Sequence, residues 1–275
     1  MKEQVRDAAR ETKPWVVLLG RFGRATNGCV YAVVGLLAAQ VALGAGGATA
    51  DPKGALAWLV QAPLGRFLLA AIALGLAGYA LWRFVQAALD TEGKGSAAKG
   101  LLVRGGYLAI GVSYTGLALS ALGLSLDRGG GGSGDAAARD RTAQLLAQPF
   151  GQWLVGIAGV AVLGLALYQF YSAYRAKFRE NLKLAEMSPT QACWATRLGR
   201  LGFTARGIAF GVIGAFLLVA ARQARAEEAR GLAGALTAVA AQPFGLWLLG
   251  AVAVGMLAYS AFLLIEARFG RMVIR

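Results

Sequence analysis

The sequence predicts an all-α polytopic membrane helix bundle, with six transmembrane helices arranged as three parallel repeats of a two-helix unit. Three observations carry that prediction. The chain is 57% hydrophobic and only 15% charged, against about 25% charged in a soluble domain, and its mean hydropathy is +0.55. Its apolar residues gather into long uncharged stretches, near the roughly 20 residues a helix needs to cross a hydrocarbon core. Finally, A-Q-P-F-G-Q-W-L at Ala147–Leu154 returns as A-Q-P-F-G-L-W-L at Ala241–Leu248, with a looser copy, A-P-L-G-R-F-L, at Ala62–Leu68. No window sustains period-two alternation, so a β-barrel is not expected.

Met1–Pro14 is polar, with acidic and basic residues interleaved, and is expected to fray or form a short surface helix. Ala25–Ala50 has no charge over 26 residues and is the first span. Ala48-Thr49-Ala50 resembles a signal-peptidase site. The apolar region exceeds the roughly 7–15 residues of a signal sequence, and related helices recur without such a site, so the span is expected to be retained. Asp51-Pro52 reads as a helix start, with Asp at the N-cap and Pro at the first helical position. Lys53–Gln61 forms a short segment ending at Pro63, Phe67–Trp82 is the second uncharged run, and Gly105–Leu126 is the third.

A Gly-rich insertion, Gly129–Gly134, reads as flexible linker and has no counterpart elsewhere. Thr142–Tyr174 is uncharged for 33 residues: a short interfacial helix, an opening at Pro149, then span four. Gly207–Ala221 has only 15 residues, too short to cross at about 1.5 Å each. Counting back to Arg200 makes span five long enough, provided that Arg206 reaches the headgroups. Gly231–Ile265 supplies a last short segment and span six.

Lys and Arg fix the expected orientation. Segments on the side of the termini hold 20 of them and the opposite segments 8, so both termini are expected to be cytoplasmic. The Arg-, Ala- and Gly-rich composition resembles that of a GC-rich bacterial genome, and the expected location is the bacterial cytoplasmic (inner) membrane. The expected organisation is a polar segment (1–14), repeat one (15–90), repeat two (91–178), a basic cytoplasmic connection (179–196) and repeat three (197–275).

Laying the odd spans together matches Arg21, Arg104 and Arg200; Gly23, Gly106 and Gly202; Gly28, Gly111 and Gly207; and Tyr31, Tyr114 and Phe210. The even spans match at Pro63, Pro149 and Pro243; at Gly65, Gly151 and Gly245; and at Phe67, Trp153 and Trp247. Each unit has two spans, so all three enter from one side, as parallel repeats about an axis along the membrane normal. This pattern resembles the bacterial six-span family known as domain of unknown function 1206, over about residues 15–270. The middle copy departs from it, with Val103 where Gly20 and Gly199 stand and with the Gly-rich insertion. The resemblance implies three tandem two-helix domains and carries no activity across. Mitochondrial carriers also have three two-span units, but their Pro-x-acidic-x-x-basic signature is absent, so only the layout is shared.

The polar positions are few. Arg21, Arg104 and Arg200 either anchor their own helix ends to lipid phosphates or converge on one anion. Asn27 and Arg206 lie about one and a half turns deeper. They either snorkel or hydrogen-bond between helices, or they line a path. Arg83 and Glu266 are expected at the interface, as is Arg66 on the other side. Phe67, Trp153 and Trp247 form an aromatic belt, and Tyr79 and Tyr259 are packing residues whose hydroxyls need partners. Gly28, Gly111 and Gly207 mark one close helix approach per repeat. Pro63, Pro149 and Pro243 are read as first-turn prolines opening the even spans.

The chain has no His, which excludes imidazole haem ligation, His-based zinc sites and Ser-His-Asp triads. Cys29 and Cys193 have no paired spacing, and Cys29 is expected to be a small buried hydrophobe. No catalytic residue, metal site or cofactor is expected. Expected partners are the bilayer, anionic lipid headgroups and another membrane protein, and no nucleic acid. The leading expectation is a non-enzymatic scaffold or partner-binding membrane subunit. The alternative is a small-solute transporter or channel along a pseudo-threefold axis.

Overall fold

The computed structural model describes residues 14–45, 48–89, 98–128 and 134–270. Among them the chain is helical, with one isolated antiparallel bridge between Leu182 and Gly270. The helices are α1 (Pro14–Ala42), α2 (Pro52–Leu59), α3 (Gly65–Leu89), α4 (Ala98–Ser125), α5 (Gly134–Leu146), α6 (Gly151–Arg175), α7 (Pro189–Gln223), α8 (Leu232–Ala240) and α9 (Gly245–Phe269). Six of these, α1, α3, α4, α6, α7 and α9, are long and apolar enough to cross a membrane. The short α2, α5 and α8 sit between the two spans of each repeat, at the end of the bundle opposite the termini. That end is the cap face, and the other is the terminal face.

Span one lies nearer the N-terminus than the uncharged run implied, at Gly20–Ala42 rather than Ala25–Ala50. The helix stops because Gly44 takes a left-handed φ of 69°, a glycine-favoured way to end a helix. Asp51 then caps α2, accepting from the Gly54 N–H at 2.7 Å, with Pro52 in the first turn. Span five is part of a continuous 35-residue helix, about 52 Å long, which begins at a Ser188–Gln191 capping box. The initial polar segment, residues 1–13, and the Gly-rich linker, residues 129–133, lie outside the described residues.

The three prolines do not occupy the first turn of the even spans. Those helices begin two residues later, at Gly65, Gly151 and Gly245. Each proline instead occupies the second position of a tight turn closed by the glycine N–H. The bonds run from Gly65 to the Ala62 carbonyl (2.8 Å), Gly151 to Gln148 (2.9 Å) and Gly245 to Gln242 (2.7 Å). Pro suits that position because its φ is already set. The next residue, Leu64, Phe150 or Phe244, has φ near 60° (60, 62 and 59°), a conformation that costs a non-glycine residue about 1–2 kcal/mol. The glycine after it is required by contact. A Cβ there would collide with the carbonyl oxygen of Leu59, Leu145 or Ala240 at the end of the preceding short helix.

The spans are joined in the order α4, α3, α1, α9, α7, α6, a ring left open between α4 and α6. One set of contacts joins successive repeats. A Cβ on Gly111 of α4 would meet Phe84 of α3 at 2.8 Å, and one on Gly207 of α7 would meet Phe170 of α6 at 2.9 Å. Gly28 of α1 joins the first repeat to the third, its Cβ position 3.2 Å from the Ser260 carbonyl and 3.3 Å from Leu264 on α9. Phe84, Phe170 and Leu264 occupy the same register of their repeats. Small residues let these backbones approach where lipid supplies no hydrophobic drive.

A second set of contacts joins the two spans within a repeat, and here the symmetry breaks. Gly23 of α1 lies under Tyr79 of α3, and Gly202 of α7 under Tyr259 of α9; an added Cβ would approach the tyrosine Cβ to 2.5 and 2.6 Å. In the middle repeat the matching glycine, Gly106, has nothing within 4 Å. The residue in register with the two tyrosines there is Leu165, 54% exposed. α4 and α6 do not pack on one another as α1 does on α3 and α7 on α9. They are the least buried spans, at 17% and 22% against 56% for α9. The ring therefore has one open seam.

Connecting segments pack on each end of the ring. On the cap face α2, α5 and α8 meet. Thr49 bonds to Thr237 at 2.7 Å, and Asp135 accepts from the Gly231 N–H at 2.7 Å. On the terminal face, the connection after α6 tucks Phe178 against Gly199, Phe203 and Phe262, with ring centroids 5.1 Å apart in both pairs. Leu182 is fully buried there, and Lys183 N–H donates to the Phe269 carbonyl at 2.8 Å.

Candidate functional site

Residues three, four and seven apart share a helix face. The inward faces of α1 (Arg24, Asn27, Tyr31), α4 (Tyr107, Tyr114), α7 (Phe203, Arg206, Phe210), α3 (Tyr79, Arg83, Gln86) and α9 (Tyr259, Phe262, Glu266) are built this way. Together they make the half of the interior nearer the terminal face both aromatic and cationic.

Arg206 is its centre. A guanidinium nitrogen, Nη1, donates to the Tyr259 hydroxyl. The guanidinium carbon lies 4.5 Å from the Tyr259 ring centre, 5.2 Å from Phe210 and 5.7 Å from Tyr31. Its Nε is buried without a hydrogen-bond partner. Arg83 repeats the motif within one helix. It donates through Nε to the Tyr79 hydroxyl at 3.0 Å and through Nη1 to Gln86 Oε1 at 3.0 Å, and it lies over Tyr107 at 5.3 Å. Edge-to-face pairs fill the space between, Tyr31 with Tyr259 at 5.0 Å and Tyr79 with Tyr114 at 4.7 Å. The carboxylate nearby, Glu266, is 3.9 Å from Arg24 Nη1. Among the described residues no carboxylate makes an ion pair with Arg83 or Arg206, so the interior carries a net positive charge.

Several expectations change here. Of the alternatives for Arg206, the hydrogen bond between helices is the one observed, in place of snorkelling. Arg83 and Glu266, expected near the interface, face into the ring, where their tyrosine and arginine partners lie. Arg24, at 7% exposure, is a functional candidate that the sequence reading passed over. Its signal was there, since Arg24 shares one face with Asn27 and Tyr31. Asn27 is itself buried. Cys29 is exposed on the outside of the ring rather than buried, in a groove with Phe22 and Val33.

Arg21, Arg104 and Arg200 are not joined by any bond among the described residues. Arg104 donates to the carbonyls of Ala87 (2.7 Å) and Ala88 (3.1 Å), which caps the end of α3, where a cation is favoured. Arg200 is exposed, and Arg21 Nε is buried without a hydrogen bond. Arg66 pairs with Asp127 at 2.8 Å in the open. Phe67, Trp153 and Trp247 project outward, 73–83% exposed.

Two surface grooves, about 310 Å³ between α1, α2 and α3 and about 470 Å³ between α3 and α4, are lined by apolar side chains. Neither reaches the cationic interior. Among the described residues no cluster of His, Cys, Asp or Glu could hold a metal. Tyr107, Tyr114, Arg206 and Phe210 remain partly accessible, with the open α4–α6 seam beside them.

A family model described as Domain of Unknown Function (DUF1206) matches the chain three times, at residues 22–90, 105–176 and 201–270. The chain is 37% identical over 263 residues to "Uncharacterized protein YxxB" of Bacillus subtilis (strain 168), an alignment covering 96% of this chain and 94% of that protein. No solved structure gives a significant match.

Proposed function

The chain belongs to the DUF1206 family, whose unit it carries three times, and we propose that it is a non-enzymatic binding protein that takes an amphiphilic molecule from the bilayer into the seam of its middle repeat. One observation carries the reading: an aromatic, cationic interior, packed over by the short helices on the cap face and by Phe178 beside α7 and α9, is bordered by a missing helix contact, α4 to α6, on its flank. A molecule dissolved in the membrane reaches such a site sideways, while one in water meets packed helices or Phe178. Transport along the pseudo-threefold axis is disfavoured for the same reason, because tyrosine rings occupy the axis.

The proposed setting is the bacterial cytoplasmic membrane with both termini cytosolic, on the basis of 20 Lys and Arg in the sequence segments on the side of the termini against 8 in the opposite segments. Absence of His from the chain and of a nucleophile–base pair among the described residues supports the non-enzymatic reading.

Native mass spectrometry of the intact protein released from nanodiscs tests the reading. The expected result is one retained amphiphile per chain, lost in Gly106→Trp, where the indole fills open space. A second reading makes the seam the dock for another protein's transmembrane helix, which would fit a scaffold subunit. A stoichiometric protein chain in place of the amphiphile would establish that reading and overturn the first.

A further inference from the structure

We infer that Arg206 receives the oxyanion head of an anionic amphiphile, whose tail lies in the seam between α4 and α6; this rests on the binding function proposed above and names its ligand class. Arg206 is in register with Asn27, six residues past Arg200 and so about 9 Å deeper along the helix. A guanidinium at that depth is costly unless paired. The pairing on hand is one neutral hydroxyl, that of Tyr259, together with the faces of three rings. Neither neutralises it, and Nε keeps a donor with no acceptor. Arg83, tied up by Tyr79 and Gln86, adds a second positive charge across the axis, and Glu266 is turned to Arg24.

These features select the ligand. A cation is repelled, and a neutral head leaves the Arg206 charge without a counter-charge. A carboxylate or phosphate matches the planar fork of an arginine. Its route is set by the seam. The middle repeat has Leu165 where the other two have tyrosines that seal the helix pair, and Gly106 faces open space. The surfaces of α4 and α6 on either side are mainly apolar, so a hydrocarbon tail lies along them while the head reaches Arg206. A second copy of this chain is a poor occupant, because the one acidic residue of its described spans, Glu266, already faces Arg24 inside its own ring.

The test uses the full chain, delipidated in detergent, offered equal amounts of phosphatidylglycerol and phosphatidylcholine and read by native mass spectrometry. Expected is about a tenfold or greater preference for the anionic lipid, the scale of a charge-assisted bond. In Arg206→Gln it falls to within about twofold, while Arg200→Gln, exposed at the helix end, keeps it. Arg206→Lys retains the charge and keeps the variant foldable; loss of the fork should lower the preference there too. Equal retention of the two lipids by the wild type would overturn the inference and leave lateral binding standing. Failure to retain either lipid would overturn both. Thermal protection by inorganic phosphate alone, without a lipid preference, would replace the amphiphile with a free anion.

Discussion

Arg206 on α7 donates to the hydroxyl of Tyr259 on α9, 53 residues further along the chain. That bond ties the two spans of the third repeat together just where Tyr31 of the first repeat packs edge-on against Tyr259. Arg83 and Tyr79 have the same chemistry, but within one turn of α3.

Tyr259→Phe should therefore cost more than Tyr79→Phe. Removing the Tyr259 hydroxyl leaves a buried guanidinium without its hydrogen bond, a loss of about 1–3 kcal/mol, whereas Arg83 keeps Gln86. Thermal unfolding in detergent, followed by tryptophan fluorescence, compares the two. Equal effects would mean that the interhelical bond adds nothing to the packing.

The broken symmetry gives a paired prediction. Gly202→Ala drives a methyl to 2.6 Å from the Cα of Tyr259 and should destabilise by about 1–3 kcal/mol, the scale of overpacking. Gly106→Ala meets open space and should be neutral or stabilising by up to about 1 kcal/mol, from helix propensity. Matching losses at the two positions would show that the seam closes in the membrane.

Gly111→Leu and Gly207→Leu should both weaken the bundle by separating α3 from α4 and α6 from α7, since even a Cβ there would meet Phe84 or Phe170 within 2.9 Å. A reduced melting temperature with the helix content retained is the expected signature. An unchanged melting temperature in either variant would remove the close approach.

Phe178→Ala should open the terminal face. The ring is 3% exposed and stacks on Phe203, and such truncations cost about 3–5 kcal/mol. Proteolysis within residues 177–188, slow in the wild type, should become rapid. Unaltered cleavage would show that the connection holds without its anchor.

Orientation is read by fusions. A phosphatase reporter at Gly131, in the linker between spans three and four, should be active, and a fluorescent protein at the C-terminus should be bright. A fluorescent signal from Gly131 would invert the topology.

The sequence by itself determined the helices, their number and their threefold repetition. Hydrophobic length and the recurrence of Pro149-x-Gly151 in Pro243-x-Gly245 are local properties, legible without knowing any neighbour. It also marked Gly28, Gly111 and Gly207 as equivalent, although nothing in the chain says that Gly28 packs against α9. Tertiary structure alone decided which helix each face meets. The spacing of Arg206 and Tyr259 contains no sign of their bond, and the change from tyrosine to Leu165 has no meaning until register puts it opposite Gly106. Periodicity along a chain specifies a helix and its apolar face, but the closing of a ring is a relation between distant segments. A polar group's depth likewise depends on what surrounds it. For that reason Arg83 and Glu266, read as helix-end charges, turned out to face partners inside the ring, and only the structure chose the interhelical bond of Arg206 among its alternatives.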